Sequence, residues 1–179
     1  MKDSLGLNFG LIIAFLLPGF IFLYGASFSV VPIAVSFQGA AAKETTVGAF
    51  LIVMLASLAV GLLLSAFRWF VLDHLFSWMG IGKETLDFDQ LRKPEALAAF
   101  HAVVENHYRY YQYYANSLMA IVGAVVMHLF FGDKPIPCGM WLLVAAALLV
   151  LFLGARNALA KYYERARSVL GVLKTGGSQ

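Results

Sequence analysis

The chain has 179 residues, of which 61% are hydrophobic and only 13% are charged. Soluble domains carry about 25% charged residues, and a domain this small cannot bury so much apolar surface. The composition therefore excludes an ordinary soluble domain and predicts an all-α integral membrane protein built as one domain. The single cysteine, Cys138, excludes an internal disulfide.

Four apolar segments approach the length of about 20 residues that a membrane-spanning helix needs. In chain order, the sequence predicts helix one over 7–28, helix two over 47–67, and two longer helices over 94–132 and 139–170 that include spans three and four. We expect helix one to be a retained span, since its apolar run is too long for a signal peptide and no net-positive segment precedes it.

The connecting segments are predicted by their polarity and their glycines. An amphipathic segment at the membrane interface, or a tilted continuation of helix two, is expected over 68–80. Arg68 would anchor the membrane edge there, with Asp73 within reach of it. A cytoplasmic loop is expected over 81–93, and a flexible tail over 171–179.

The distribution of lysine and arginine predicts the orientation. If the N-terminus is cytoplasmic, every one of the 13 Lys and Arg residues except Lys43 and Lys134 falls on the cytoplasmic side. Cytoplasmic segments of membrane proteins carry this excess of positive charge. The sequence thus predicts four spans with both termini in the cytoplasm, and the net charge of +3 does not require a nucleic-acid partner.

The two longer helices should outrun the membrane. A helix over 94–132 would be roughly 55 Å long, against a hydrocarbon core of about 30 Å. The turn at 133–138 is short, so we expect helices three and four to extend into the cytoplasm as an antiparallel hairpin. In that hairpin Glu105 would lie opposite Arg165 or Arg167, which predicts an ion pair there.

Pro18 and Gly19 predict a break in helix one. Proline inside a helix removes one backbone hydrogen bond and clashes with the preceding turn. Broken helices bind ions and substrates in transporters, but such proteins show a matching break in each half of the chain. Only helix one is broken here, which favours a kink that serves packing.

Two stripes of small or polar residues are candidates for lining a pore or the inside of the bundle. They recur at three- or four-residue steps, so each stripe shares one helix face. The stripes are Asn116, Ala120, Ala124 and His128 on helix three, and Ser57 and Gly61 on helix two. Packing between these two helices is the alternative interpretation, because small residues let membrane helices approach closely.

No catalytic or metal-binding motif is present, so the sequence predicts a protein that is not an enzyme and binds no cofactor or metal. The tyrosines at 108–114 are typical of an aromatic belt at the interface, and direct binding of nucleic acid is not expected. Partner contacts are instead predicted on the cytoplasmic hairpin, at His101, Glu105, Arg109, Arg165 and Arg167.

Three runs, FLLPG at 15–19, HYRYYQYYAN at 107–116 and ARNALAKYY at 155–163, resemble those of small multi-pass accessory membrane proteins of bacterial antiphage defence systems. Such proteins are encoded beside RNA-targeting CRISPR effectors or in RNA-editing defence operons. The resemblance implies a homo-oligomer in the bacterial inner membrane that works with a cytosolic defence complex, and it implies no catalytic residues.

The predicted function is therefore a membrane effector or accessory subunit. It would permeabilise or remodel the inner membrane, or tether the cytosolic complex to it. The alternative is a small transporter or channel that works on its own and uses the break at Pro18 and Gly19.

Overall fold

The computed structural model describes residues 10, 12–41, 47–82, 86–133 and 135–171. It is all-helical, with 89% helix and no strand among the described residues. Five helices follow one another along the chain: α1 (Ile12–Ser27), α2 (Val31–Ala41), α3 (Val47–Trp78), α4 (Pro94–Phe131) and α5 (Cys138–Leu170). The all-α class predicted from the composition is confirmed.

Three of these helices, α3, α4 and α5, are each long and apolar enough to cross a membrane. Helices α1 and α2 supply a fourth span if the two are counted as one broken segment. The helices are thus compatible with the membrane protein that the composition predicts. The loop residues Lys43 and Lys134, on which the orientation partly depends, lie outside the described residues, as does the tail from residue 172 onward.

Helix one ends at Ser27, and the chain then turns sharply into a second helix. Helix α1 stops at Ser27, and α2 starts at Val31 with its axis bent by 118°. Pro32 accounts for part of this break, because proline disfavours helical geometry in the residue before it and suits the first turn of a new helix. The segment between the predicted helices one and two, for which the sequence predicts no span, therefore contains a helix at Val31–Ala41.

Helix α2 folds back along α1 instead of leaving it. The ring of Phe37 lies 5.5 Å from that of Phe20 and 6.2 Å from that of Tyr24, measured between centroids. Helix α2 also packs against α3. Helix α2 thus packs against both α1 and α3, the two helices that it connects along the chain.

Helix two and the amphipathic segment form a single helix, α3. It continues from Val47 through a π-helical turn at Trp69–Asp73 and ends at Trp78. The tilted continuation of helix two is therefore the form that the structure adopts. Gly80 follows with a φ of 92°, a left-handed conformation that glycine adopts without strain. Trp69 and Trp78 remain exposed, as expected of residues at a membrane interface.

Helices α4 and α5 pack against each other along their length in opposite directions. The Tyr162 ring contacts Phe100 and Tyr108 near the ends that carry charge, whereas Gly154 lies against the ring of Tyr114. Helix α4 contains a π-helical turn at Val104–Tyr108. Helix α5 ends at Leu170, and Gly171 follows with a φ of 76°.

Part of the segment predicted as a loop over 81–93 packs onto α5. Leu86 is buried against Ala166 and Leu170, and a 3-10 helix follows at Phe88–Arg92. The backbone N–H of Asp87 donates to the carbonyl of Gly171, at 3.3 Å. The described part of this segment is therefore tied to the end of α5 and gives the hairpin a small core of its own.

Candidate functional site

Helix α1 meets α3 at two glycines that bring the backbones into contact. A Cβ atom added at Gly19 would overlap the carbonyl oxygen of Ser57, and one added at Gly61 would overlap the carbonyl oxygen of Phe15. Neither position has room for any side chain. Small residues at such crossings allow the dispersion contacts that drive helix association in lipid.

A side chain from α4 supplies the hydrogen bond that Pro18 cannot donate. Proline has no N–H, so residue 18 cannot donate to the carbonyl four residues before it, that of Ala14. Asn116 Nδ2 donates to this carbonyl instead, at 2.7 Å, and Asn116 is fully buried. Helix α1 continues through Pro18, from a π-helical turn at Ile12–Leu16 to Ser27, so the effect of proline here is the loss of one backbone hydrogen bond. The long-range hydrogen bond that replaces it was not predicted from the sequence.

Several polar atoms near this junction are buried and have no hydrogen-bond partner in the described part of the chain. They are Ser57 Oγ, Asn116 Oδ1 and Ser117 Oγ, all on residues no more than 1% exposed. Buried polar groups are costly unless they are satisfied. The junction therefore combines close packing with several buried polar atoms and is closed to solvent.

The candidate stripe of α4 faces α1 along its whole length. Beyond Asn116, Ala120 is fully buried, and a Cβ added at Gly25 would lie 2.6 Å from the Cβ of Ala124. At the far end, His128 Nδ1 and Ser29 Oγ are 2.8 Å apart and share a hydrogen bond. The contacts recorded for this stripe and for Gly61 of α3 are with the chain from Ala14 to Ser29, and α3 and α4 also pack against each other.

A large open cavity lies beside this stripe, between the end of α1 and the start of α5. Its volume is about 830 Å³. Its lining comes from α1, from α4, and from the turn and first residues of α5: Phe20, Ile21, Tyr24, Gly25, Phe28, Ser29, Val31, Ile121, Ala124, Val125, His128, Asp133, Pro135, Ile136, Pro137, Met140 and Val144. Most of these side chains are apolar, and the polar ones lie towards the ends of the helices.

A charged cluster lies at the opposite end of the helices. Arg68 is only 4% exposed, its guanidinium carbon lies 5.0 Å from the centre of the Tyr111 ring, and Nη2 is 3.9 Å from Asp73 Oδ2. The Tyr111 hydroxyl donates to Asp73 Oδ1. The Arg68–Asp73 contact follows the sequence-based expectation, whereas nothing in the sequence singled out Tyr111 among its neighbouring tyrosines.

The predicted partner-contact residues fall into two groups. His101, Arg165 and Arg167 are exposed. Glu105 and Arg109 are half-buried and pair with each other, with Glu105 Oε1 and Arg109 Nε 3.4 Å apart. The ion pair that the structure records for Glu105 is therefore within α4, and not with Arg165 or Arg167 on α5.

Among the residues that the structure describes, no group of three or more His, Cys, Asp or Glu side chains is arranged to hold a metal ion. The chain matches no protein-family profile, no curated protein and no solved structure.

Proposed function

We propose that this protein is a non-enzymatic accessory subunit of the membrane, which tethers a cytosolic complex through the extension formed by α4 and α5. The observation that carries the proposal is a folded, charged extension built directly on two membrane-spanning helices. Helix α4 alone, from Pro94 to Phe131, is about 57 Å long at 1.5 Å per residue, and about 30 Å of this length suffices to cross the hydrocarbon core.

The extension formed by α4 and α5 has a small hydrophobic core, as a rigid binding surface for a partner requires. Leu86, Ala166 and Leu170 form a buried cluster, with Phe100 and Val103 packed around it. The two helices are thereby held side by side outside the apolar segments. A rigid surface binds a partner with less loss of conformational entropy than a disordered tail does.

The packing of the membrane interior supports a tethering role over transport by a single chain. Residues that a pore would expose to water are used for contacts with α1, and Asn116, Ser57 and Ala120 are buried. Asn116 donates to the Ala14 carbonyl beside Pro18, and Gly19 packs against the backbone of α3. An open, hydrated break is what the transporter alternative would require.

Helix α5 supports the proposal that the protein is a homo-oligomer. Within an 18-residue apolar stretch of α5, only 6% of the residues are fully buried within the chain. Leu148, Leu151 and Phe152 are partly buried, and the remaining surface is left for lipid or for a second copy. If the subunit permeabilises or remodels the membrane, we propose that it does so through assembly of several copies, since the centre of one copy is filled by side chains.

The resemblance of the runs at 15–19, 107–116 and 155–163 extends the proposal to a biological setting. We propose that the partner is a cytosolic component of a bacterial defence system and that the subunit lies in the inner membrane. The side of the extension follows from the excess of lysine and arginine on the same side as the N-terminus.

Charge reversal on the extension tests the tethering role. The double variant Arg165→Glu with Arg167→Glu changes two exposed side chains of α5 and leaves the apolar windows untouched. We expect it to release the cytosolic partner and to abolish protection against phage in cells that express the complete locus. The measurements are co-purification of the locus-encoded partner, a phage challenge, and a blot of the membrane fraction.

The matched control is Arg92→Glu with Lys93→Glu, which makes the same change in charge at exposed positions outside the predicted contact set. This control should retain the partner and the protection. If the α5 variant keeps full protection, the tethering proposal is wrong. If it disappears from the membrane fraction, α5 serves insertion and does not serve docking.

A further inference from the structure

The cavity between α1, α4 and α5 has the size and shape of a binding site. Its volume of about 830 Å³ falls within the range of about 300–1,000 Å³ that is usual for sites that take small ligands. Helix α4 packs against both α1 and α5, so α4 forms the floor and the other two helices form the walls. The cavity therefore lies between the two walls and is open on one side.

The body of the cavity is apolar, and its floor is lowered by small residues. Gly25 and Ala124 lie so close that a Cβ on Gly25 would be 2.6 Å from that of Ala124. The rings of Phe20 and Tyr24 stack with centroids 6.3 Å apart, and Phe37 of α2 packs behind both rings. This wall is thus supported from outside by the helix that folds back along α1.

One end of the cavity is polar, and it lies where the helices end. Ser29 follows the last residue of α1, His128 is in the last turn of α4, and Asp133 is in the turn before α5. The Ser29 hydroxyl and His128 already bond to each other at 2.8 Å. A hydroxyl oxygen has two lone pairs, so Ser29 can accept a further hydrogen bond, and the exposed Asp133 carboxylate is an acceptor too.

We propose that this cavity binds the aliphatic chain of a membrane amphiphile, with an ammonium head that carries N–H donors at Ser29 and Asp133. The apolar walls take the chain, and the acceptors at the helix ends take the head. The Asp133 carboxylate disfavours an anionic head such as a free fatty acid, because like charges repel. An ethanolamine lipid of the bilayer and a free long-chain amine share this chemistry.

Photolabelling of the purified full chain in phosphatidylcholine vesicles tests the proposal. The probes are phosphatidylethanolamine and phosphatidylcholine with the same diazirine-bearing acyl chain, each added as a trace component. We expect labelled peptides from α1 and α4 at the cavity, with the ethanolamine probe preferred about 3- to 10-fold, the contribution of roughly one hydrogen bond. Ser29→Ala should remove the preference for ethanolamine and keep the labelling of the walls.

Filling the cavity supplies the second arm of the test. Met140→Trp places a bulky ring at the lining, whereas Leu142→Trp makes the same change two residues away on an exposed position outside the cavity. We expect the first variant to lose most of the labelling at the cavity and the second to retain it. Should Met140→Trp fail to give a monodisperse protein, Val144→Trp, also at the lining, replaces it.

Each remaining outcome decides for or against the site. If excess hexadecylamine displaces the ethanolamine probe, a free single-chain amphiphile can occupy the site. If the label persists, the occupant is a bilayer lipid, and either result supports the proposed chemistry. Equal labelling of the two tryptophan variants overturns the proposal, as does equal labelling by the two probes. Crosslinks between two copies through Met140, without any lipid label, would assign the cavity to an oligomer interface.

Discussion

Removal of the Asn116 side chain should expose the consequence of having proline at position 18. In the structure, Asn116 Nδ2 donates to the Ala14 carbonyl, which Pro18 leaves without its usual partner. Asn116→Ala would leave a buried carbonyl unsatisfied. Intramembrane hydrogen bonds contribute about 0.6 kcal/mol on average and up to about 1.7 kcal/mol, and an orphaned buried group costs about 1–3 kcal/mol. We therefore expect a loss of about 1–2 kcal/mol in the free energy of unfolding.

A double-mutant cycle with Pro18→Ala separates this effect from the simple loss of packing. Alanine at position 18 has an N–H that can donate to the Ala14 carbonyl within the helix. In that background Asn116→Ala should cost less than about half as much as it does beside Pro18, which corresponds to a coupling energy near 1 kcal/mol. The assay is reversible unfolding in mixed micelles, followed by circular dichroism.

The control for this cycle is Asn157→Ala, an asparagine that is exposed on α5. Its effect should stay within about 0.5 kcal/mol in both backgrounds. The reasoning would be refuted if Asn116→Ala cost the same in the native protein and in the Pro18→Ala variant. The amide would then contribute through packing alone, and the kink would need another explanation.

Two further predictions concern a close backbone contact at Gly61 and the hydrogen bond of the Tyr111 hydroxyl. Gly61→Leu should prevent folding, because even a Cβ would overlap a carbonyl of α1, whereas Gly139→Leu should be tolerated since nothing lies within 4 Å of its Cβ. The yield of monodisperse protein on size exclusion measures both, and a normal Gly61→Leu profile would contradict the contact. Tyr111→Phe should lower the unfolding free energy by about 1 kcal/mol because Asp73 loses its donor. The exposed Tyr110→Phe should change nothing, and equal effects would show that the hydroxyl is unimportant.

The sequence predicted the features that depend on composition and spacing along one helix. The apolar lengths of 47–67, 94–132 and 139–170 predicted α3, α4 and α5, because spans require about 20 apolar residues whatever their neighbours are. The loss of a backbone hydrogen bond at Pro18 was predictable for the same kind of reason, since the effect of proline on its own helix is local, whereas the helix itself continues to Ser27. The face shared by Asn116, Ala120, Ala124 and His128 also followed from helical spacing alone.

The sequence could not predict which helix each face would meet. Asn116 and Ala14 are 102 residues apart, and no pattern in one sequence encodes that pairing. The fold-back of α2 was missed because its residues are mostly apolar and do not separate into a polar and an apolar face, so no pattern indicates a direction. Leu86 was assigned to a loop because its neighbours are polar, yet it packs against Ala166 and Leu170.

Pro18 and Gly19 lie where α1 meets its two neighbouring helices. Pro18 frees a carbonyl that α4 satisfies through Asn116, and Gly19 lets α3 approach the backbone of α1 from another side. Helix α1 therefore packs against α3 and α4, while α5 packs on another part of α4, where Gly154 meets Tyr114. The gap between α1 and α5 follows from that arrangement, because both helices pack on α4. In a membrane, we expect lipid or another copy of the chain to fill the space between them.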